Sequence, residues 1–509
     1  MAGDYLEADE SSDSSSEHNT TQESLISISL NGSDQNLSRH RSNSVDISEG
    51  KQEKKHKESF LIAQINVEGQ LEEFPIGSRE ICSVNSPSDR WRCVWTMMVM
   101  LGMCSTLPYN ILIVVYTYLP DTLEIYSNVT GVDTESASSF LPYLILSSKI
   151  PVILIVCVNT YFFHKNPVFF GKMVSRRPMV IMTLVMIAMS LIAQMFALVI
   201  ALEWLSLFAW ICMLAIIFSN VAGAVFQNSL FGMAFTLPTH YINAVLIGSN
   251  LCGMFTSLVV IIMIASAPRI RNLIIVALIL ILLTFLMSLL ICYVIRRLPF
   301  YEHCRRKVWL KQTEMETRPL QTKDEPKFGK PHKKLCMTGL NIWLIYMVTS
   351  VNYPAIGSQV RRLSFPFSDK YWSPFWFFFI FNIFSMIGNI VSEYVPLWRH
   401  KLLWLATFSR AIVFLPFFLL CNYQPDGIEN RSIPVILNND YLFILGTVLL
   451  GLSFGYYSSV CMMYAQKNVN LEDAFSTGML MNTMVYGGMF SGSCISLFFP
   501  LIVSHRGND

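Results

Sequence analysis

The feature that most constrains this chain is a series of long apolar runs. Eleven stretches of roughly 20 residues or more lie near 91–119, 138–163, 178–202, 204–235, 241–266, 271–295, 336–359, 371–396, 402–421, 440–464 and 475–503, numbered here as spans 1 to 11. About 20 apolar residues suffice for a helix to cross a hydrocarbon core of about 30 Å. Backbone in lipid must satisfy its own hydrogen bonds, which leaves helices and closed barrels. These runs do not alternate polar and apolar residues as barrel strands do. The chain therefore reads as an all-α polytopic membrane protein with eleven transmembrane helices, six before and five after a basic break at 297–335.

Composition agrees. Only 14% of the 509 residues are charged, against 53% hydrophobic, where a soluble domain carries about 25% charged residues. Residues 1–89 are rich in Ser, Asn, Glu and Lys and read as a disordered tail. Their start is acidic, with no basic segment or apolar core, so it is no signal peptide. Arg39 and Arg41 precede Ser44 at a spacing that suits a basophilic kinase, which makes Ser44 a phosphorylation candidate. The twelve cysteines are scattered singly, so they are expected to pack as small apolar residues. No P-loop, HExxH, GxSxG or intramembrane Asp/His cluster is present. The expectation is a protein that is not an enzyme, with no metal, no cofactor and no nucleic-acid partner. Its partners would be a small-molecule substrate and the lipid bilayer.

Orientation follows the positive-inside bias of short loops. Arg90, Arg92, Lys165, Lys172, Arg176, Arg177, the cluster at 296–334, Arg399 and Lys401 all fall on one side, read as cytoplasmic. The loop after span 1 is acidic and carries the sequon at Asn128, and the loop after span 9 carries one at Asn430. Both would accept glycans on an external face. Arg269, Arg271, Arg361, Arg362 and Lys370 oppose this orientation, as do sequons at Asn19, Asn31 and Asn36, but the largest basic cluster decides it. The expected organisation is then a cytoplasmic tail (1–89), an N-terminal bundle (90–296), a basic cytoplasmic loop (297–335), a C-terminal bundle (336–503) and a short extracellular tail (504–509). A plasma-membrane location is the default.

Polar residues inside the spans point to what the bundle does, because each must face a partner helix or a watery cavity. In span 4, Asn220, Gly223 and Gln227 share a narrow arc at 100° per residue. Gln227 either bonds another helix or faces a ligand. Span 8 is more telling: Phe378, Asn382, Ser385, Asn389 and Glu393 fall on one stripe, which favours a cavity-lining face over helix-to-helix bonding. Pro108, Tyr109 and Asn110 interrupt span 1, and Lys149 lies near the middle of span 2 with no acidic partner at matching depth. These features together read as a transporter with a midplane cavity between two bundles.

The stretches "DRWRCVWTMMVMLGMCSTLPYN", "AGAVFQNSLFGMAFTLPTHY", "GSNLCG", "FNIF" and "LSFGYYSSVCMMYAQKNV", with the Gly-rich span 11, resemble the equilibrative nucleoside transporter family from about Asp89 to Val503. The resemblance implies a major-facilitator-like fold and facilitative, bidirectional movement of nucleosides and sometimes nucleobases. It implies that Gln227 bonds the nucleobase and that Tyr109 (where a tryptophan is usual), Asn110, Ile113, Tyr353, Phe378, Asn382 and Met489 lie near the substrate. It implies close helix packing at Gly223, Gly248 and Gly253, and it matches Arg177 to an arginine at the start of span 3. The chain departs from the family in span 8. Ser385 and Asn389 stand where an aspartate and an arginine usually hold the ribose. Both charges are absent together, so neither is stranded. Lys149 stands where the family typically has an apolar residue, as a possible donor to the substrate or a gate. The alternatives at this point are a carrier of another small solute, such as an organic cation, and a non-transporting membrane sensor or scaffold.

Overall fold

A computed structural model describes residues 61–65, 71–75, 87–117, 140–165, 205–266, 270–317, 333–395, 400–424, 434–471 and 473–503. Span 3, Arg177, Ser44, Asn128 and Asn430 lie outside the described residues. Residues 1–77 and 78–509 form separate units.

Every other expected span is helical: span 1 is Cys93–Thr117, span 2 Phe140–Lys165, span 4 Leu205–Phe235, span 5 Thr239–Ser266, span 6 Ile270–Ile295, span 9 His400–Leu420, span 10 Asp440–Lys467 and span 11 Ala474–Ser496. Span 7 starts as Lys333–Ser350 and continues through a π-helical turn at Val351–Ile356. Span 8 runs over Asp369–Tyr394, with Trp372–Phe379 wound as a π-helix. Among the described residues, six helices are long and apolar enough to cross a membrane on their own, or seven if a helix pair bent by 74° counts as one span. Their outer faces are apolar: Leu282, Leu286 and Leu290 of span 6 and Leu405 and Ile412 of span 9 are each about half exposed or more. A surface of this kind fits hydrocarbon and not water.

Two further segments take regular structure. The segment 297–335, expected to be a loop, contains the helix Pro299–Thr317. Proline suits the first turn of a helix, and Phe300, Cys304 and Val308 repeat every four residues to make a buried apolar seam on an otherwise charged helix. Phe300 stacks on Tyr241 with ring centroids 5.5 Å apart. Within the tail expected to be disordered, Leu61–Ile65 and Leu71–Pro75 pair as an antiparallel hairpin, with Ala63 opposite Glu73.

Helix ends are fixed by carboxylates and amides. Asp89 accepts the N–H groups of Val94 and Trp95 at 3.0 and 3.3 Å, and the Tyr241 hydroxyl at 2.9 Å, which ties the start of span 1 to the start of span 5. Asn439 caps span 10 by accepting from Tyr441 N–H at 2.9 Å. The buried Asp440 carboxylate receives the backbone N–H groups of Leu363, Ser364 and Phe365, so it holds the connection between spans 7 and 8.

Glycines let the helices approach backbone to backbone. A Cβ at Gly223 would sit 2.8 Å from the Ser105 carbonyl of span 1. One at Gly248 would fall on the Val99 carbonyl of the same helix, and one at Gly455 on the Ser385 carbonyl of span 8. Without Cβ atoms at these points, spans 4 and 5 close on span 1, and span 10 closes on span 8.

Candidate functional site

At mid-depth the two halves meet through Gln227. It lies eight residues before the end of span 4, roughly 12 Å along the helix. Its Oε1 accepts the Tyr486 hydroxyl of span 11 at 2.5 Å. Tyr486 sits in a small cluster with Val152, Val156, Val221 and Ala224, and Met489 packs against its edge. The next residues of the polar triplet take other roles. Asn228 is fully buried, donating to Thr160 of span 2 at 3.1 Å and accepting from Asn482 of span 11 at 3.3 Å. Ser229 donates back to the Val225 carbonyl of its own helix.

The remaining mid-depth groups form two clusters. In the first half, Lys149 Nζ lies 4.9 Å from the centroid of the half-buried Tyr109 ring. Its neighbour Ser148 receives the Asn220 amide at 3.1 Å. Asn110 donates to Cys252 Sγ at 3.3 Å, beside Gly253. Val152 and Val156, further along span 2, pack with Tyr486, which links this cluster to Gln227. Ile113 lies on span 1, and its side chain is outside the described residues.

In the second half, the span 7 helix breaks at Tyr353, whose φ of −121° and ψ of 118° are extended. Pro354 has no N–H to continue the helical ladder at this point. The break turns the Tyr353 ring onto Phe381 at 4.4 Å and Phe378 at 5.2 Å. Asn382 donates to the Tyr353 hydroxyl at 3.1 Å and to the Phe378 carbonyl at 2.8 Å. Gly253 of span 5 leaves the space that the Asn382 amide fills, so the two halves touch here as well.

The span-8 stripe divides. Asn382 stays with the mid-depth aromatics. Ser385 and Asn389 are fully buried, wedged between spans 5 and 10, so they do not share an open face with Asn382 in this structure. Periodicity placed these residues on one arc, but it cannot tell water from a neighbouring helix. Asn389 Oδ1 accepts from Ser459 at 2.9 Å, and its carbonyl accepts from Asn243 at 2.7 Å. Asn243 also donates to Glu393 at 2.8 Å and accepts from Ser459 at 2.7 Å. Ser385 Oγ and Asn389 Nδ2 are buried with no hydrogen-bond partner among the described residues.

Around this network the halves are closed at the face where span 1 begins. Gln466 of span 10 donates to the Phe235 and Leu237 carbonyls at 2.8 and 2.5 Å. Gly478 of span 11 packs against the Phe231 carbonyl, 2.5 Å from where a Cβ would lie.

Sequence reasoning passed over Tyr486, Asn243 and Arg410. Arg410 lies in span 9 with only 2% exposure. Its guanidinium donates to Ser453 Oγ at 3.0 Å and Thr349 Oγ1 at 3.2 Å, with carbonyls of Ile345 and Leu450 at 3.5 Å. A lone arginine in an apolar run was a readable signal. Tyr486 and Asn243 carried none, because each matters only through a partner far away in sequence.

The profile of the Nucleoside transporter family matches residues 213–501, more than half of the chain. The chain belongs to the nucleoside transporter family. It is 26% identical to human equilibrative nucleoside transporter 1 over 82% of this chain and 99% of that protein. It is also 26% identical to human equilibrative nucleoside transporter 2, with the same coverage. The solved structure of the major-facilitator proton:xylose symporter XylE matches with a TM-score of 0.52 at 12% identity, over 82% of this chain and 90% of that one. That likeness speaks to fold alone: the transporter has the major-facilitator architecture expected of it. Its function is transport and not catalysis.

Proposed function

We infer that this transporter moves nucleosides and free nucleobases passively and in both directions by alternating access. The observation that supports this reading is the Gln227–Tyr486 hydrogen bond, which joins the halves through an amide suited to reading a base. A glutamine amide offers two donors and one acceptor, enough to read a base edge. Tyr109, Asn110, Ile113, Lys149, Tyr353, Phe378, Asn382 and Met489 make up the rest of the site. Ser385 Oγ and Asn389 Nδ2 are donors left in reserve for sugar hydroxyls when the halves separate around them. Gly223, Gly248 and Gly253 serve packing.

The relatives' designation as equilibrative supports a passive mechanism. The carboxylates Glu393 and Asp440 lie near helix ends and not at the centre, which leaves no obvious proton relay there among the described residues. We place residues 1–89 and 297–335 in the cytoplasm and 504–509 outside, with bundles at 90–296 and 336–503. Asn128 and Asn430 would then be external glycan acceptors, Ser44 a cytoplasmic phosphorylation site, and the plasma membrane the resident membrane. In this orientation the closed face is cytoplasmic, so the structure is closed inward. An organic-cation cargo is disfavoured by Lys149.

Uptake of labelled adenosine and uridine into oocytes expressing the chain tests the reading. Saturable uptake of either is expected, weakened about tenfold in apparent affinity by Gln227→Ala, the loss of one well-placed hydrogen bond. No uptake above water-injected cells for either compound would overturn it.

A further inference from the structure

Lys149 is a cation in the middle of a span, and among the described residues no carboxylate lies within ion-pair distance of it. Among the described residues its aromatic contact is the Tyr109 ring, whose centroid lies 4.9 Å from Nζ. That contact turns the side chain toward span 1. The carboxylate of span 8, Glu393, is engaged by Asn243 near the closed end. Arg410, a buried cation of span 9, is inside the second half and surrounded by hydroxyls and carbonyls. Among the described residues, the first-half side of the site therefore carries a positive charge with no carboxylate beside it.

An ammonium at mid-depth is expensive, and the face of one tyrosine compensates only part of that cost. Water can supply the rest while the site is open. When the halves close around a solute, most of that water leaves. A neutral solute would then leave the ammonium unpaired, and a cationic one would add repulsion. A solute with a negative charge would replace the lost hydration with a charge-assisted hydrogen bond.

Building on the nucleoside-carrier reading, we propose that the favoured cargo is anionic: a purine or pyrimidine derivative whose negative charge pairs with Lys149 while Gln227 reads the base. The charge can reside on an acidic oxopurine ring or on a phosphate, and both present oxygen to the ammonium. Lys149 is the residue that sets this preference.

The test uses the purified full chain in proteoliposomes at neutral pH. The probes are inosine (neutral), xanthosine (a ring anion at that pH) and inosine 5′-monophosphate. The expected result is that at least one anion has an apparent KM about tenfold below that of inosine. Lys149→Met should abolish that ratio and Lys149→Arg should keep it. Preference for xanthosine alone assigns the charge to the ring, and preference for the monophosphate alone assigns it to phosphate. If Lys149→Met does not transport, thermal-shift titration of that variant and wild type with the same compounds reads the ratio as binding. Inosine uptake with both anions excluded, or an anion-to-inosine ratio unchanged in Lys149→Met, would overturn this inference alone. Uptake of none of the three overturns the nucleoside reading as well.

Discussion

Gln227 is held at its acceptor end. Tyr486 occupies Oε1 at 2.5 Å, which fixes the amide's orientation before any solute arrives. Hydrogen bonds between transmembrane helices contribute about 0.6 kcal/mol on average and about 1.7 at most. Tyr486→Phe should therefore raise the apparent KM for a nucleoside only a few-fold, well short of the effect of Gln227→Ala. Side-by-side uptake kinetics of the two variants measure the difference. Gly248 makes a separate test of packing. A side chain there meets the Val99 carbonyl and the Met103 N–H, both backbone groups of span 1 that cannot rotate away. Overpacking of this kind costs about 1–3 kcal/mol. Gly248→Val should lower the melting temperature in detergent by several degrees, and an unchanged melting curve would contradict the close approach of spans 1 and 5.

At the level of elements, spans 5, 8 and 10 form a polar lock. Asn243 sits at its centre, with bonds to the Asn389 carbonyl, Glu393 and Ser459. The lock joins the halves near one membrane face and must release for the carrier to open there. Asn243→Leu removes all three bonds at once. Hydrogen–deuterium exchange should then quicken in the segment 389–395, while the far end of span 8 keeps its protection. Arg410 works differently, as a brace inside one half. Its planar fork reaches span 7 through Thr349 and span 10 through Ser453. A lysine keeps the charge but has no fork. Arg410→Lys should lower thermal stability with little change in substrate preference, read by melting curves and by competition between nucleosides.

For the whole molecule, residues 1–77 and 78–509 are separate units, and every described site residue belongs to the second. A chain lacking residues 1–77 should still transport, with KM within about twofold of the full chain, since no described site contact is lost. Uptake normalised to surface expression measures this.

Much of the architecture was legible before any coordinates. Run length against bilayer thickness decides that helices cross a membrane, and the solvent forces the answer because unpaired backbone cannot stay in lipid. Gln227 and Lys149 also stood out unaided, as polar groups are costly there. The helix Pro299–Thr317 was missed because charge density suggested a loop, although its apolar seam at Phe300, Cys304 and Val308 was present. What only the tertiary structure decided is which polar residues meet. The stripe from Asn382 to Glu393 follows from helical geometry. Its division into a mid-depth contact with Tyr353 and a sealed lock with Asn243 and Ser459 depends on which helix packs where. Hydrophobic patterning is local to one segment, whereas a hydrogen bond between Gln227 and Tyr486 joins residues 259 positions apart, and only the packing of the folded chain brings them together.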